Sequence, residues 1–358
     1  MAEVYRKFSP DKFEAIYQVE EDQDGIRLDQ LIQNYLVSYS RQQIKKKITA
    51  KEVKIQGRPF PHKPSTKVYY KERIEIFTLK GDTEDEYWNG KKLELKLEPD
   101  TIFEDENILV ISKPAYMCTH PTGRHLFNCA TVFYENKLGH GVHSIHRLDR
   151  ETSGLLLIGK NVKTAQYCTN LFEIDKVKKC YFFMAHKNEK RTEFPFIANE
   201  RLGNRDDFLP RQYIHCFPQD SKVGKHARTT FKLIFENTDY VIGLAFPQTG
   251  RQHQIRTHAA FHGYPLIGDK IYNGDPKLFM RFKDKVSKPE DFEIMQLSRH
   301  ALHAIALKLP YPSADNETLF RGEVPEEFIG WIQDKVPEYQ PQYLEQDIKP
   351  LLESYFYE

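Results

Sequence analysis

HSIHRLDRETSGLLLIGKN, residues 143–161, divides into two halves of opposite character. Its right half, Leu155 to Ile158, is a short apolar run bounded by glycines, the composition of a buried strand. Its left half crowds His146, Arg147, Asp149, Arg150, Glu151, Thr152 and Ser153 into eight residues. A polar cluster at the mouth of a core strand is where a scaffold commonly holds a catalytic loop. Three chemical readings compete. His-Arg-x-Asp matches part of the catalytic loop of protein kinases, but that loop needs Asn five residues after the Asp. Gly154 stands there, and no Gly-rich phosphate loop precedes it. Alternatively the cluster is a structural knot of ion pairs, Asp149 and Glu151 against Arg147 and Arg150. In the third reading, flanking arginines keep Asp149 ionised at neutral pH, because nearby positive charge favours the carboxylate. A fixed, ionised carboxylate can then act as nucleophile or base.

The third reading gains weight because His146-Arg147-Leu148-Asp149-x-x-Thr152-Ser153-Gly154 resembles the catalytic motif of the RluA-type pseudouridine synthases, enzymes acting mainly on ribosomal large-subunit RNA and tRNA. Further similar segments follow in order over residues 102–312. Asp105-Glu106-x-Ile108-Leu109-Val110-Ile111-x-Lys113-Pro114 looks like the opening strand, and His120-Pro121 and Lys179-x-Tyr181 come next. Then come Gly224-Lys225-x-Ala227-x-Thr229, Thr249-Gly250-Arg251-x-His253-Gln254-Ile255-Arg256-x-His258 and Arg299-His300-Ala301-Leu302-His303-Ala304.

The resemblance implies a site. Asp149 would attack, or deprotonate, the ribose C1′ region so that the glycosidic bond breaks and uracil rejoins through C5. Tyr181 would stack on the uracil, a contact worth roughly 1–3 kcal/mol. Arg256, expected in a helix running from Thr249-Gly250 toward Gly263, would pair with Asp149, and Ile255 would pack beside the base. Arg147 would fill the gap left by the flipped nucleotide. His146, Thr152 and Arg251 complete the expected substrate contacts. The resemblance implies no cofactor and no metal. His253 and His258 stand five apart, off the spacing of a helical zinc pair, and His300 and His303 are expected to serve packing.

Upstream lies a compact module. IRLDQLIQNYL has helical apolar spacing, with Asp22 or Asp24 available as its cap, and Ser40 suits the N-cap of a second helix, RQQIKKKI. VKIQGRPF and KVYYKERIEIF read as strands with a Gln-Gly turn. This order, with Arg27-Leu28-Asp29, Ser40-Arg41, Ile44, Ile48, Val53 and Ile55, resembles the S4 RNA-binding module. In that family the second helix offers cations to RNA phosphates, a role that falls here to Arg41, Lys45, Lys46 and Lys47. From Arg41 to Arg73 there are eleven Lys and Arg against two Glu, although the whole chain carries only +1. A basic block alone is more often a solvated face.

The expected class is therefore α+β: a sheet-rich pseudouridine synthase domain with a small N-terminal S4-like α/β domain. The expected division is an extension at 1–22, the S4-like domain at 23–80, a charged linker at 81–100, the catalytic domain at 101–335 and an acidic surface tail at 336–358. Hydrophobic residues at 40% and charged residues at 29% describe an ordinary globular chain. No apolar run approaches a membrane span, and the mixed-charge N-terminus is unlike a secretory signal. Five scattered cysteines without a C-x-x-C pair point to free thiols and a cytoplasmic setting. RNA is the expected partner, ribosomal RNA first and tRNA second, with the chain acting as a monomer and no protein partner implied. A non-catalytic RNA-binding or ribosome-assembly role on the same fold is the rival. Met117, Cys118 and Arg124 to Asn128 depart from the family pattern, which points to a distinctive rim, and the stretch from Glu200 to Cys216 is also unusual.

Overall fold

The computed structural model describes residues 2–357 except 37–38, 82–83, 123–124, 206–211, 285 and 314. It contains two compact units: Met1–Asp85 with His120–Gly141, and Glu86–Thr119 with Val142–Glu358.

The first unit is built on a four-stranded antiparallel sheet. Its strands are β1 (Ala2–Phe8), β2 (Lys12–Gln18), β3 (Val53–Ile55) and β4 (Arg73–Leu79), in the order β1-β2-β4-β3. Helices α1 (Leu28–Tyr35) and α2 (Arg41–Thr49) bury Leu28, Leu31, Ile32, Ile44 and Ile48 in a core with Val53, Ile55, Ile74 and Ile76. The Ser40 hydroxyl accepts from the Gln43 N–H, closing a capping box. Neither Asp22 nor Asp24 caps α1; its N-cap is Arg27, and Asp24 instead accepts from the Tyr70 N–H.

The loose extension expected at 1–22 is corrected: two strands run there, joined by a turn in which Ser9 and Lys12 bond to each other. Alternation in KFEAIYQ, with Phe13 and Ala15 buried, is the signal that its charged residues obscure. Residues 120–141, expected within the catalytic domain, belong to this unit through α3 (Ala130–Leu138) and the segment before it. There the N–H groups of Leu126, Phe127 and Asn128 all donate to the Glu84 carboxylate. That segment is wrapped around a buried acid; Arg124 lies outside the described residues, as do 206–211 within the other unusual stretch.

The second unit begins inside the expected linker with a small hairpin, β5 (Tyr87–Trp88) and β6 (Lys91–Lys92). Trp88 stacks on Phe282 at 5.9 Å and meets Phe292 edge-on, so an aromatic anchor fixes a segment expected to be loose. Among the described residues the main sheet has ten strands. They are β7 (Asp100–Glu104), β8 (Ile108–Lys113), β9 (His143–Ser144), β10 (Ser153–Gly159), β11 (Lys178–His186), β12 (Phe196–Ala198), β15 (Thr229–Glu236), β16 (Tyr240–Pro247), β17 (Leu302–Pro310) and β18 (Glu317–Arg321). A separate pair, β13 (Arg201–Gly203) and β14 (His215–Phe217), stands beside it in sequence. The main order is β12-β15-β16-β11-β17-β10-β8-β7, with β18 on β17 and β9 on β10.

Among the described residues, every strand pairing in that sheet is antiparallel except one. β10 and β17 run parallel where Ser153 meets His303 and Gly154 meets Ala304. Gly154 is obligatory there: its φ is +106°, and a Cβ would lie 2.3 Å from the Ala304 carbonyl oxygen. The loop 145–152 leaves the sheet at this junction. Helices α4 (Val162–Glu173), α5 (Gln254–Phe261), α6 (Pro276–Lys283), α7 (Pro289–Met295), α8 (Glu326–Lys335) and α9 (Leu344–Tyr357) complete the unit. One core joins β11, β16 and β17 to α8 and α9; a second joins the same strands, through Phe183, Ala245 and Leu302, to Ile255 and Ala259 of α5.

The acidic surface tail expected at 336–358 is also corrected. Leu344, Ile348, Leu352 and Phe356 of α9 are buried, and their four-residue spacing is a helical stripe hidden among acids.

Candidate active site

A cavity of about 530 Å³ opens where the 145–152 loop, β11 and the start of α5 converge. Asp149, Arg256, Tyr181, Arg147, Ile255, His146, Thr152 and Arg251 all line it, although they come from three distant stretches of sequence. Asp149 keeps 22% of its side-chain surface exposed, and Arg256 keeps 6%. Arg256 Nη1 donates to Asp149 Oδ2 at 2.9 Å. Its Nε–Nη2 edge holds Asp269 in a bidentate pair, Nε to Oδ2 at 2.7 Å and Nη2 to Oδ1 at 2.9 Å. Asp269 is fully buried, and its Oδ1 also accepts from the N–H groups of Ile271 and Tyr272. The guanidinium is thus clamped on one side and presents a single amino group to Asp149. Such planar, two-bonded contacts fix orientation as well as charge.

Electrostatics follow from this arrangement. Burial alone would raise the Asp149 pKa, but positive charge contributed by His253, Arg256 and His300, with the Arg256 hydrogen bond, holds it well below the usual carboxylate range. Burial pushes His253 itself down to about 4 and also lowers His300, so at neutral pH the standing positive charge is that of Arg256. Burial likewise opposes ionisation of Asp269, and Arg256 overcomes it. Asp149 is therefore a carboxylate at neutral pH.

The loop is pinned from below. Thr152 N–H donates to the Asp149 carbonyl, and the Leu148 N–H donates to Thr119 Oγ1. Thr152 Oγ1 lies 2.7 Å from His300 Nε2, and Ser153 Oγ lies 2.8 Å from His303 Nδ1. Hydroxyls of one motif thus bond histidines of another some 150 residues away. Lys113 is fully buried and donates to the carbonyls of Pro114, Met117 and Arg150. Burial lowers it to about 7. Glu151 pairs with Lys270 at 2.8 Å.

Individual expectations fare differently. His146 lines the cavity, yet its Nε2 accepts the Leu157 N–H at 3.0 Å and its ring stacks on Phe172 at 4.6 Å. Burial lowers it to about 3, so it is a neutral brace tying the loop to β10. Thr152 is buried and engaged with His300. Arg147 is exposed at the cavity edge, and Arg251 donates from Nε to the His226 carbonyl. Tyr181 sits at a bulge in β11, opposite Ala245 and Ala304, two small residues that leave space around its ring. On α2, Arg41, Lys45 and Lys46 are exposed, but Lys47 is buried against Glu52 and Thr78 Oγ1. Lys47 is thus withdrawn from the expected RNA-facing set, because the last turn of α2 points it at the sheet.

Sequence reasoning missed Asp269, which stands alone in the chain without a motif around it; Gly268 beside it, at φ +74° with the Arg299 carbonyl 2.0 Å from a Cβ position, was the available sign of a constrained turn. It also assigned no part to His253, whose Nε2 is 3.8 Å from Asp149 Oδ2 and whose Nδ1 is 3.0 Å from the Tyr272 hydroxyl. Away from the cavity, Glu200, Cys216 and His258 bring possible ligand atoms within 4.8 Å of one another among the described residues. All three are already engaged. His258 bonds Thr229 and the Glu200 carbonyl, the Glu200 carboxylate meets His262, and burial pushes the Cys216 thiol up to about 12.

The chain is similar to known proteins along most of its length. The family profile described as RNA pseudouridylate synthase matches residues 107–261, which include Asp149, Tyr181 and Arg256. Ribosomal large subunit pseudouridine synthase D of Blochmanniella floridana is 29% identical over 320 residues, covering 88% of this chain and 96% of that one. The Vibrio cholerae protein of the same name is 27% identical over 320 residues, with coverage of 87% and 91%. The mitochondrial tRNA pseudouridine(32) synthase of Saccharomyces cerevisiae is 38% identical over 175 residues, but these span only 49% of this chain and 37% of the yeast protein. The solved structure of human RNA pseudouridylate synthase domain containing 4 superposes with a TM-score of 0.53 at 20% identity, over 65% of this chain and 92% of that one, and shows the same fold. The chain is an RNA pseudouridine synthase of the RluA type.

Proposed function

We propose that the chain isomerises specific uridines of ribosomal large-subunit RNA to pseudouridine, with Asp149 as the catalytic residue. The observation that carries this reading is the carboxylate of Asp149, ionised and oriented by a clamped Arg256 in a cavity sized for a flipped nucleotide. Asp149 acts on the ribose C1′ region so that the bond to uracil N1 breaks. The uracil turns, C5 bonds to C1′, and the C5 proton leaves while N1 gains one. Tyr181 stacks on the uracil and Ile255 packs at its edge. Arg147, exposed beside Asp149, fills the space vacated in the RNA stack, which offsets part of a flipping cost of a few kcal/mol.

The first unit is assigned to RNA anchoring, with Arg41, Lys45 and Lys46 on phosphates, and its helices and basic block resemble the S4 module. Ribosomal RNA is favoured over tRNA because the relatives named for the large ribosomal subunit match along most of this chain, whereas the yeast tRNA enzyme matches over half. The protein acts as a cytoplasmic monomer; among the described residues no helix is long and apolar enough to cross a membrane.

The test is to map pseudouridine across cellular RNA with the wild-type gene, without it, and with Asp149→Asn. One or a few sites in large-subunit RNA should vanish in both deficient strains. The purified variant should lose at least about 10³-fold in rate while binding RNA within about threefold of wild type. Sites lost only from tRNA would redirect the substrate, and unchanged turnover by Asp149→Asn would remove the mechanism.

A further inference from the structure

Lys179 shares the cavity with Asp149 but has no part in the chemistry described so far. Only 7% of it is exposed, yet among the described residues its ammonium makes one long hydrogen bond, 3.4 Å to the Gln248 carbonyl, and lies 5.7 Å from the centre of the Phe172 ring. An ammonium carries three donors, and withdrawing them from water without acceptors is costly. Arg251, exposed at the mouth of the same cavity, has its guanidinium held through Nε on the His226 carbonyl, and its charge opposes that of Lys179. Two cations held toward one cavity ask for an anion between them. The nearby carboxylates, Glu173 and Asp175, are exposed at the cavity margin, where water screens them, although Asp175 favours the charged Lys179 more than Arg251 opposes it.

We propose that Lys179 and Arg251 together grip a phosphodiester flanking the target uridine. The inference rests on the isomerase reading and assigns to that site a second, backbone-directed contact. A phosphate oxygen suits it better than a uracil carbonyl, because only an anion pairs the charge of a buried ammonium. The contact also answers a need of the reaction. Once the bond to N1 breaks, the base no longer holds the sugar, and C1′ must stay over Asp149 while the uracil turns. A grip on the phosphate keeps it there. Burial, the larger influence, lowers free Lys179 to about 8, and a bound anion would raise it again.

The experiment uses an RNA fragment that the wild-type enzyme is already known to modify, with the phosphate on the 5′ or the 3′ side of the target replaced by an uncharged methylphosphonate. One of the two replacements should lower wild-type kcat/KM by about 30-fold or more, and Lys179→Met should lose a similar factor on native RNA. Combined, the two changes should cost no more than about threefold beyond either alone, the mark of groups that act on each other. Lys179→Arg should recover most of the activity. Wild-type indifference to both replacements overturns the proposal, whatever the variants do, and so do losses that multiply. Should Lys179→Met melt early, Arg251→Gln takes its place in the same cycle. Wild-type turnover of the native fragment keeps the isomerase reading separate, since it stands even when the phosphate contact fails.

Discussion

At the scale of single residues, Arg256 is useful only because Asp269 holds it. A guanidinium facing one carboxylate can swing, whereas one doubly bonded to a buried second carboxylate has a fixed third edge. Asp269→Asn keeps the shape but removes that charge. It should lower kcat by about 10–100-fold with little change in KM, as expected when a reacting group is slightly misplaced. Steady-state kinetics on a modified RNA fragment check this, and an unaltered kcat would show that Asp149 orients itself. The same residues govern acid stability. Asp149, Glu151 and Asp269 all have folded pKa values below the roughly 4 of an unfolded carboxylate. Their contribution is complete above that value and is lost as pH falls toward the folded values, because the unfolded chain binds the protons first. His146, His253 and His303, lowered to about 3, 4 and 3 by burial, start the decline earlier, below the roughly 6.5 of a free histidine. Urea midpoints should therefore fall steadily from pH 7 to 4, and a level profile between 7 and 5 would contradict the buried, neutral histidines.

Among the elements, β10 decides most. It is apolar along its length, and its first residues meet β17 in the sheet's parallel contact. Gly154→Ala should destabilise the protein by about 3 kcal/mol or more, since both a positive φ and a backbone clash stand against the methyl. Chemical denaturation measures this, and a variant of native stability would mean that β10 and β17 separate without cost. This strand, the 145–152 loop and α5 were legible in the sequence because each carries a strong local pattern. Asp149, Tyr181 and Arg256 came with motifs, so their meeting in one cavity was foreseeable. What escaped notice lacked a local pattern or carried a misleading one. Asp269 has its meaning only in the partner it clamps. The strands before residue 19 and the stripe of α9 were masked by charge, since each has a solvated face. Lys47 looked identical to Lys45 and Lys46, but one step around the helix turned it inward.

Considered as a whole molecule, the second unit completes its sheet from chain segments far apart, with two cores on opposite sides of the same strands. The pairing of Ser153 with His303 closes a loop of 150 residues. Contacts of such separation cannot form until most of the intervening chain is in order, and chain topology of this kind slows the route to the native state. Helices and hairpins should therefore return early after dilution from denaturant, while competence to modify RNA should come back last. Circular dichroism and single-turnover assays on the same refolding sample would register that lag. Simultaneous recovery of both signals would instead mean that the two distant strands find each other at the outset, with the intervening chain arranging itself around them.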